Sequence, residues 1–370
     1  MANTLKFGNG EWYGKKDTIL AYNSENNNFK PLPFDFSRAS SATVVNKAGL
    51  IETVGSGEPR IDFSNDAKGA LLLEPARANL IPYSEDFSQW FQIGTATITS
   101  NYGVSPDGTQ NSSRLQMNAS DKIYFTVASS GDISFTVYLK GVGQIRLRDN
   151  TSTGLKDVTL TSEWVRYELN FNATISNFQI EQQTGVSDFE IYGAQLEQGS
   201  YATSYIPTSG SAVTRVADAC TNGANEQVIN STEGVFYAEV ENSSPSTSTR
   251  GWVLQSSLNN GSDLIGIRFN SSQLINFYLR ANSVTTINVN VSNTYNGFIK
   301  IALKYKSGEN SLWINGVEVH SNTTAFSFNN SLSNLGNYDG LGNYGYFNIK
   351  DTKLYNTALT DSELQALTTI

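Results

Sequence analysis

Apolar and polar residues alternate with a period of two through much of this chain, as expected of strands that bury one face and expose the other. Ile133-Ser134-Phe135-Thr136-Val137-Tyr138-Leu139 puts Ile133, Phe135, Val137 and Leu139 on one side, and Trp164-Val165-Arg166-Tyr167-Glu168-Leu169-Asn170-Phe171 repeats the pattern. Between Ile81 and about Thr208 such runs recur at intervals of roughly 8 to 12 residues, the spacing of a β-sandwich. Phe189-Glu190-Ile191-Tyr192 reads as a closing strand, and Thr208-Ser209-Gly210-Ser211 opens a polar stretch predicted to be a linker as far as about Asn225.

A second series follows. Gly234 to Val240 places Phe236, Ala238 and Val240 on one face, and further strands are predicted at 251–255, 264–269, 274–279 and 297–305. The strongest local signal is Ser311-Leu312-Trp313-Ile314-Asn315-Gly316-Val317-Glu318-Val319, because Asn-Gly between β-formers favours a type I′ turn that matches strand twist. Trp164 and Trp313 lie in alternating runs and are expected in the core. Thr360-Asp361-Ser362-Glu363 fits a capping box, so one short helix should close the chain. Heptads and repeats of 20 to 50 residues are missing, so the sequence encodes no long shaft.

The first 33 residues are polar and Asn-rich and end in Lys30-Pro31-Leu32-Pro33, where two prolines oppose a helix or a central strand. They are read as an extended arm. From Phe34 to about Leu80 short strand signals alternate with turns, including a hairpin predicted from Ala42-Thr43-Val44-Val45, the turn Asn46 to Gly49, and Leu50 to Val54. The predicted fold is therefore all-β, with two β-sandwich (jelly-roll) domains in tandem over 81–215 and 216–370, preceded by an N-terminal attachment arm with short strands over 1–80.

Composition narrows the function. Charged residues make up only 16% and Asn, Ser, Thr and Gly take their place, so the surface forms hydrogen bonds more than ion pairs. A net charge of -9, with no cluster of Lys and Arg, argues against nucleic acid as a partner. No run approaches 18 apolar residues, so membrane insertion is not expected. The start MANTLKFGNGEW lacks the pattern of a signal peptide, and a single cysteine, Cys220, forms no internal disulfide. Synthesis in a reducing cytoplasm is the expectation.

Three stretches carry a resemblance. FDFSRASSATVVNKAGLIETVGSGEPRIDF, with GALLLEPARANLIPYSEDFSQW after it, resembles a module of tailed-bacteriophage virion proteins over about residues 34–90. Arg38-Ala39-Ser40, Pro59-Arg60-Ile61, Leu73-Glu74-Pro75 and Asn79-Leu80 fill its pattern. YGAQLEQGSYATSYIPT, from Tyr192 to Thr208, resembles the last strand and exit loop of phage domains similar to carbohydrate-binding modules with a jelly-roll fold. SLWINGVEV and IKDTKLYNTALTDSELQAL resemble the concanavalin-like and laminin-G-like sandwich family, with Tyr355, Asn356, Ala358, Leu359 and Glu363 in its closing pattern. The resemblance implies sugar binding, but those closing residues pack and cap and identify a fold only.

Chemistry is sparse. A metal centre of His and Cys has only His320 and Cys220 to draw on, so no metal and no cofactor is expected. The glycosidases of the concanavalin-like family alternate Glu and Asp along one strand; here the nearest pairs are Asp188 with Glu190 and Glu239 with Glu241, and no catalytic residue is assigned. Sugar binding needs exposed rings beside amides and carboxylates. The loop from Asn337 to Tyr346 offers these, with Tyr338, Asp339, Asn343 and Tyr344 as candidates, and Trp90 is a further candidate at the mouth of the first sandwich. Trp12 and Phe29, rings in a polar arm, are candidates for attachment to the virion.

The sequence thus reads as a non-enzymatic virion surface protein, a head fibre or capsid decoration, made in the host bacterial cytoplasm. Its expected partners are other virion proteins of capsid, neck or tail, sister subunits in a dimer or trimer, and host-surface glycans. A tail fibre or receptor-binding protein, or a depolymerase cutting host polysaccharide, is the alternative.

Overall fold

The computed structural model describes residues 34–241, 251–270, 274–292 and 297–370, together with the backbone alone of Arg250 and of the strands Thr4–Phe7, Trp12–Lys15, Thr18–Asn23 and Asn28–Pro31. The protein is almost entirely β and divides into two compact units: unit 1 comprises Met1–Ser41, Val54–Pro75 and Ala217–Ile370, and unit 2 comprises Ala42–Thr53 and Ala76–Val216.

Unit 1 is a sandwich of two antiparallel sheets. The larger runs in the order Val317–Asn322, Asn310–Ile314, Ile299–Lys306, Glu233–Glu241, Asn348–Tyr355, Ala70–Leu72 and Arg60–Asp62, with Thr4–Phe7 also paired to Asn348–Tyr355. The smaller runs Val284–Ser292, Leu274–Ala281, Leu264–Phe269, Arg250–Ser256 and Leu332–Gly336. Period-two alternation makes the core: Phe236, Ala238 and Val240 face Trp252, Leu254, Ile265, Ile267, Phe277 and Leu279, as the pattern in 234–240 predicts. The Asn-Gly turn forms with Asn315 at φ 49° and Gly316 at φ 84°, the left-handed pair that a type I′ hairpin requires.

The other face of the larger sheet is closed by the helix Asp361–Thr368, whose Leu364 packs with Val235, Tyr237, Ala302 and Trp313. The predicted capping box is present: Thr360 Oγ1 accepts from Glu363 N, and Glu363 Oε2 accepts from Thr360 N at 2.8 Å. Thr360→Ala is expected to lower stability by about 1 kcal/mol, the usual loss on removing an N-cap side chain. Thermal unfolding checks this.

Unit 2 is built on three long strands. Lys122–Val142 pairs along 122–139 with the whole of Val165–Glu181 on one side, and along 133–142 with Val186–Gln198 on the other. Irregularities at Thr126/Ser129 and Thr136/Tyr138 interrupt the ladder, and bulges of this kind increase local twist and let long strands bend. The sheet thereby encloses a single core in which Phe135 stacks on Phe178 at 3.8 Å between ring centres. Trp164 is only half-buried, its indole donating to the Val104 carbonyl at 3.0 Å.

Two parts of the chain differ from their sequence reading. The polar stretch after Thr208 contains the short strands Val213–Arg215 and Ala219–Thr221, and Arg215, Asp218 and Cys220 in it are buried. The segment assigned to a separate attachment region supplies Arg60–Asp62 and Ala70–Leu72 to the larger sheet of unit 1, while Asp35–Ser37 pairs with Ala219–Thr221. The cause is an ion network. Asp218 receives Arg38 Nη1 at 3.1 Å on Oδ1, and Arg60 Nη2 and the Glu74 backbone N–H on Oδ2, while Arg60 Nη1 also reaches Glu74 at 2.6 Å. Polar composition suggested exposure, but these charges find partners distant in sequence.

Candidate functional site

The loop from Asn337 to Tyr346 leaves the edge strand of the five-stranded sheet and lies against that sheet's outward face. Both its ends are pinned. The fully buried Asn337 side chain accepts from Cys220 N at 2.9 Å and donates to the carbonyls of Asp218 at 3.2 Å and Gly345 at 3.0 Å. Gln255 Nε2 donates to the Tyr338 carbonyl at 2.7 Å, which ties the loop to the sheet beneath. Gly345 is needed there, since a Cβ would sit 2.2 Å from the Gly251 carbonyl oxygen.

The tip of the loop folds around Asp339. Its Oδ1 accepts from Leu341 N at 2.8 Å and Asn343 N at 3.1 Å, its Oδ2 accepts from Asn343 Nδ2 at 2.9 Å, and Arg268 Nη2 lies 3.4 Å away. Asp339 is only 3% exposed. Two of the predicted sugar contacts, Asp339 and Asn343, are therefore bonded to each other and hold the loop's shape. The tyrosines do present rings: Tyr338 and Tyr344 face across an isolated β-bridge with centroids 4.8 Å apart, and Tyr346 stacks near-parallel to Tyr344 at 6.5 Å. All three are half-buried, so each is held by packing while part of its surface stays open.

Strand register brings further groups to the same face. Arg268 stands opposite Asn276, and Asn276 opposite Asn290; Tyr278 stands opposite Asn288. The Arg268 guanidinium lies 3.6 Å from the centre of the Tyr278 ring. Burial lowers its pKa below the ordinary arginine value, against the opposing pull of Asp339 and Tyr278. Asn276 Nδ2 donates to Asn288 Oδ1 at 2.8 Å and Asn290 Oδ1 at 2.9 Å, while the side chains of Asn288 and Asn290 remain exposed. The sequence reading missed these residues. The signal available was asparagine at alternate positions of Ile287-Asn288-Val289-Asn290-Val291, which marks a solvent face but no ligand.

Trp90 requires a correction. It is 3% exposed, packed between Phe87 at 5.2 Å and Phe125 at 6.0 Å, with its indole N–H donated to the Tyr83 carbonyl at 3.2 Å. Its neighbour Phe91 is instead 55% exposed and stacks on Tyr124 at 5.2 Å. Trp90 caps the short 3-10 turn Phe87–Gln89 in extended backbone and Phe91 begins the strand Phe91–Ile93, so the two side chains face opposite ways and only the fold decides which one is inside. The side chains of Trp12 and Phe29 lie outside the described residues.

Each of the paired carboxylates has partners. Asp188 binds Arg114 through both oxygens, and Glu190 lies 3.4 Å from Lys140 and accepts from Ser112 at 2.6 Å. Glu239 lies 3.3 Å from Lys350, and Glu241 accepts from Asn65 and Asn348, each at 2.9 Å. His320 is half-buried beside Asn322 at 3.2 Å.

The loop, the sheet under it and the closing helix lie almost wholly within one recognisable stretch. Residues 225–365 match the Concanavalin A-like lectin/glucanases superfamily. The resemblance read in the C-terminal half of the sequence is thus borne out for this concanavalin A-like region. No curated protein matches the chain in sequence. Similar solved structures include the CBM40 of a Ruminococcus gnavus IT-sialidase bound to alpha2,3 sialyllactose, at 17% identity and TM-score 0.33 over 38% of this chain and 84% of that one. Domain 4 of a GH43 extracellular arabinanase from Geobacillus stearothermophilus, in complex with arabinotriose, is 13% identical with TM-score 0.32, covering 45% of this chain and 81% of that one. Trypanosoma rangeli sialidase is 10% identical with TM-score 0.31 or 0.32 in the two structures, covering 95% of this chain and 65 to 66% of that one.

Proposed function

We propose that the protein is a non-enzymatic, lectin-like carbohydrate-binding protein, and that the concanavalin A-like region holds glycan on the rings of Tyr338, Tyr344 and Tyr346. The observation that carries this is the row of half-buried tyrosines, with Tyr338 and Tyr344 across their β-bridge and Tyr346 stacked on Tyr344, on a loop tied to the sheet through Gln255 and Arg268. Aromatic rings stack on the apolar faces of sugars, and amides pair with hydroxyl groups. Displaying the full chain multivalently on a glycan array tests the reading: binding that Tyr344→Ala weakens by about tenfold or more, without a change in thermal unfolding, supports it. A tenfold loss corresponds to about 1.4 kcal/mol, within reach of one ring. No glycan bound at high valency would overturn it.

The finer reading is a virion surface protein, a head fibre or capsid decoration, assembled as a dimer or trimer with capsid, neck or tail proteins and adhering weakly to host-surface glycans. It rests on the resemblance of residues 34–90 and 192–208 to tailed-phage modules. Multivalent display raises avidity by about 10² to 10⁴ without new contacts, which suits single sites of low affinity. Electron microscopy of particles with labelled protein tests location, and light scattering tests oligomeric state. The rival, a depolymerase, is tested by incubating the protein with host capsule; sustained release of reducing ends would establish it.

A further inference from the structure

A cavity in unit 1, of about 340 Å³, opens between the loop 323–331, Ser307 and the pair Ser231 and Thr232. Its lining consists of phenylalanine, serine, threonine and asparagine only. Phe326 and Phe328 meet there at 5.2 Å with their planes tilted by 45°, which forms an angled apolar wall. Hydroxyls and amides supply the rest.

The walls are fixed by hydrogen bonds. Phe326 N donates to Ser307 Oγ at 2.9 Å, Leu332 N to Ser231 Oγ at 2.8 Å, and Asn329 N to Asn282 Oδ1 at 2.8 Å. Asn330 Nδ2 donates at 2.8 Å to Asp263, a carboxylate that is fully buried and also accepts from Asn282 N and Ser262 Oγ. Ser231 and Ser307 each accept a backbone bond while their hydroxyl protons can still be donated. Ligand pockets span about 300–1,000 Å³, so this one lies at the small end.

We propose that this pocket holds one uncharged sugar residue of a glycan, as a second site apart from the tyrosine loop. The ligand class follows from the lining. A ring face packs on the Phe326–Phe328 wall, hydroxyl groups exchange hydrogen bonds with serine and asparagine, and a charged sugar would lose hydration without meeting a counter-charge in the lining. The inference shares with the reading above only the assumption that the protein binds carbohydrate.

Titration of the full chain with the methyl glycosides of glucose, galactose, mannose and glucuronic acid, followed by ligand-observed NMR, tests it. At least one neutral glycoside should bind saturably, and binding should persist in Tyr344→Ala. Phe328→Ala and Ser331→Trp should each weaken it by about tenfold or more. Ser331 is exposed, so the tryptophan can fill the pocket mouth without entering the core, and it decides the matter if Phe328→Ala fails to fold. Binding retained when Ser331→Trp is combined with Tyr344→Ala, or a preference for the glucuronide in Tyr344→Ala, would overturn the proposal. Loss in Tyr344→Ala alone would remove this site and leave the tyrosine-loop reading standing; no glycoside or array binding in any form would remove both.

Discussion

Asp218→Ala is expected to destabilise unit 1 by about 3–5 kcal/mol, the range for breaking a buried ion pair from one side. The side chains of Asp218, Arg38 and Arg60 are all fully inaccessible, and Glu74 is nearly so. Removing the aspartate takes a carboxylate from both guanidiniums, and also takes the acceptor from the Glu74 N–H. In the native protein Asp218 and Glu74 hold Arg60 well above the ordinary arginine range despite its burial, and the intrinsic basicity of a guanidinium keeps it charged when Asp218 is gone. Urea unfolding of the full chain, with separate probes in each unit, provides the check. A loss below about 1 kcal/mol would mean that the network contributes no more than a surface pair.

The same four residues explain what the sequence motifs are for. Arg38, Arg60 and Glu74 each belong to a short string singled out in the sequence, and all converge on an aspartate in what read as a linker. Their shared role here is to fasten residues 34–41 and 54–75 to the strand Ala219–Thr221 and to the sandwich of unit 1. Cys220, next to this aspartate but one, is fully buried, and burial with the nearby Asp218 and Asp35 charges pushes its thiol pKa well up, which makes it unreactive.

Trp90→Ala is expected to lower the stability of unit 2 by about 3–5 kcal/mol, as for other large aromatic residues removed from a packed core. Phe87, Phe125 and the Tyr83 carbonyl would each lose a partner. Its sugar-binding assignment would instead predict a stable protein with weaker glycan binding. Denaturation and array binding measured on the same variant separate the two: unchanged stability with reduced binding would contradict the core position. Phe91→Ala is the useful control, because that ring is mostly exposed and its loss should barely change unfolding.

Much of the architecture was legible because it is local. The strands at 133–139 and 234–240 and their core faces, the Asn315-Gly316 turn and the Thr360 cap each depend on neighbours a few residues away and formed as read. Ser134, Thr136, Val235 and Tyr237 on the opposite faces, read as exposed, are buried too. Tyr338 and Tyr344 were picked by type and spacing, and the structure presents their rings on the loop. Asp339 and Asn343, read as ligand contacts, bond each other within the loop, and composition cannot tell a group that contacts ligand from one that bonds its own turn.

What the amino-acid sequence determined by itself is therefore the all-β class, the positions of most strands, the closing helix and the loop that carries the rings. Only the tertiary structure decided which ring of Trp90 and Phe91 is inside, that Asp218 gathers Arg38, Arg60 and Glu74, and that Arg268, Tyr278, Asn288 and Asn290 share a face with the tyrosines. The physical reason is range. A side chain's alternation is set by its own strand, whereas its burial and its partners are set by register and pairing between segments as distant in sequence as Ala70–Leu72 and Asn348–Tyr355.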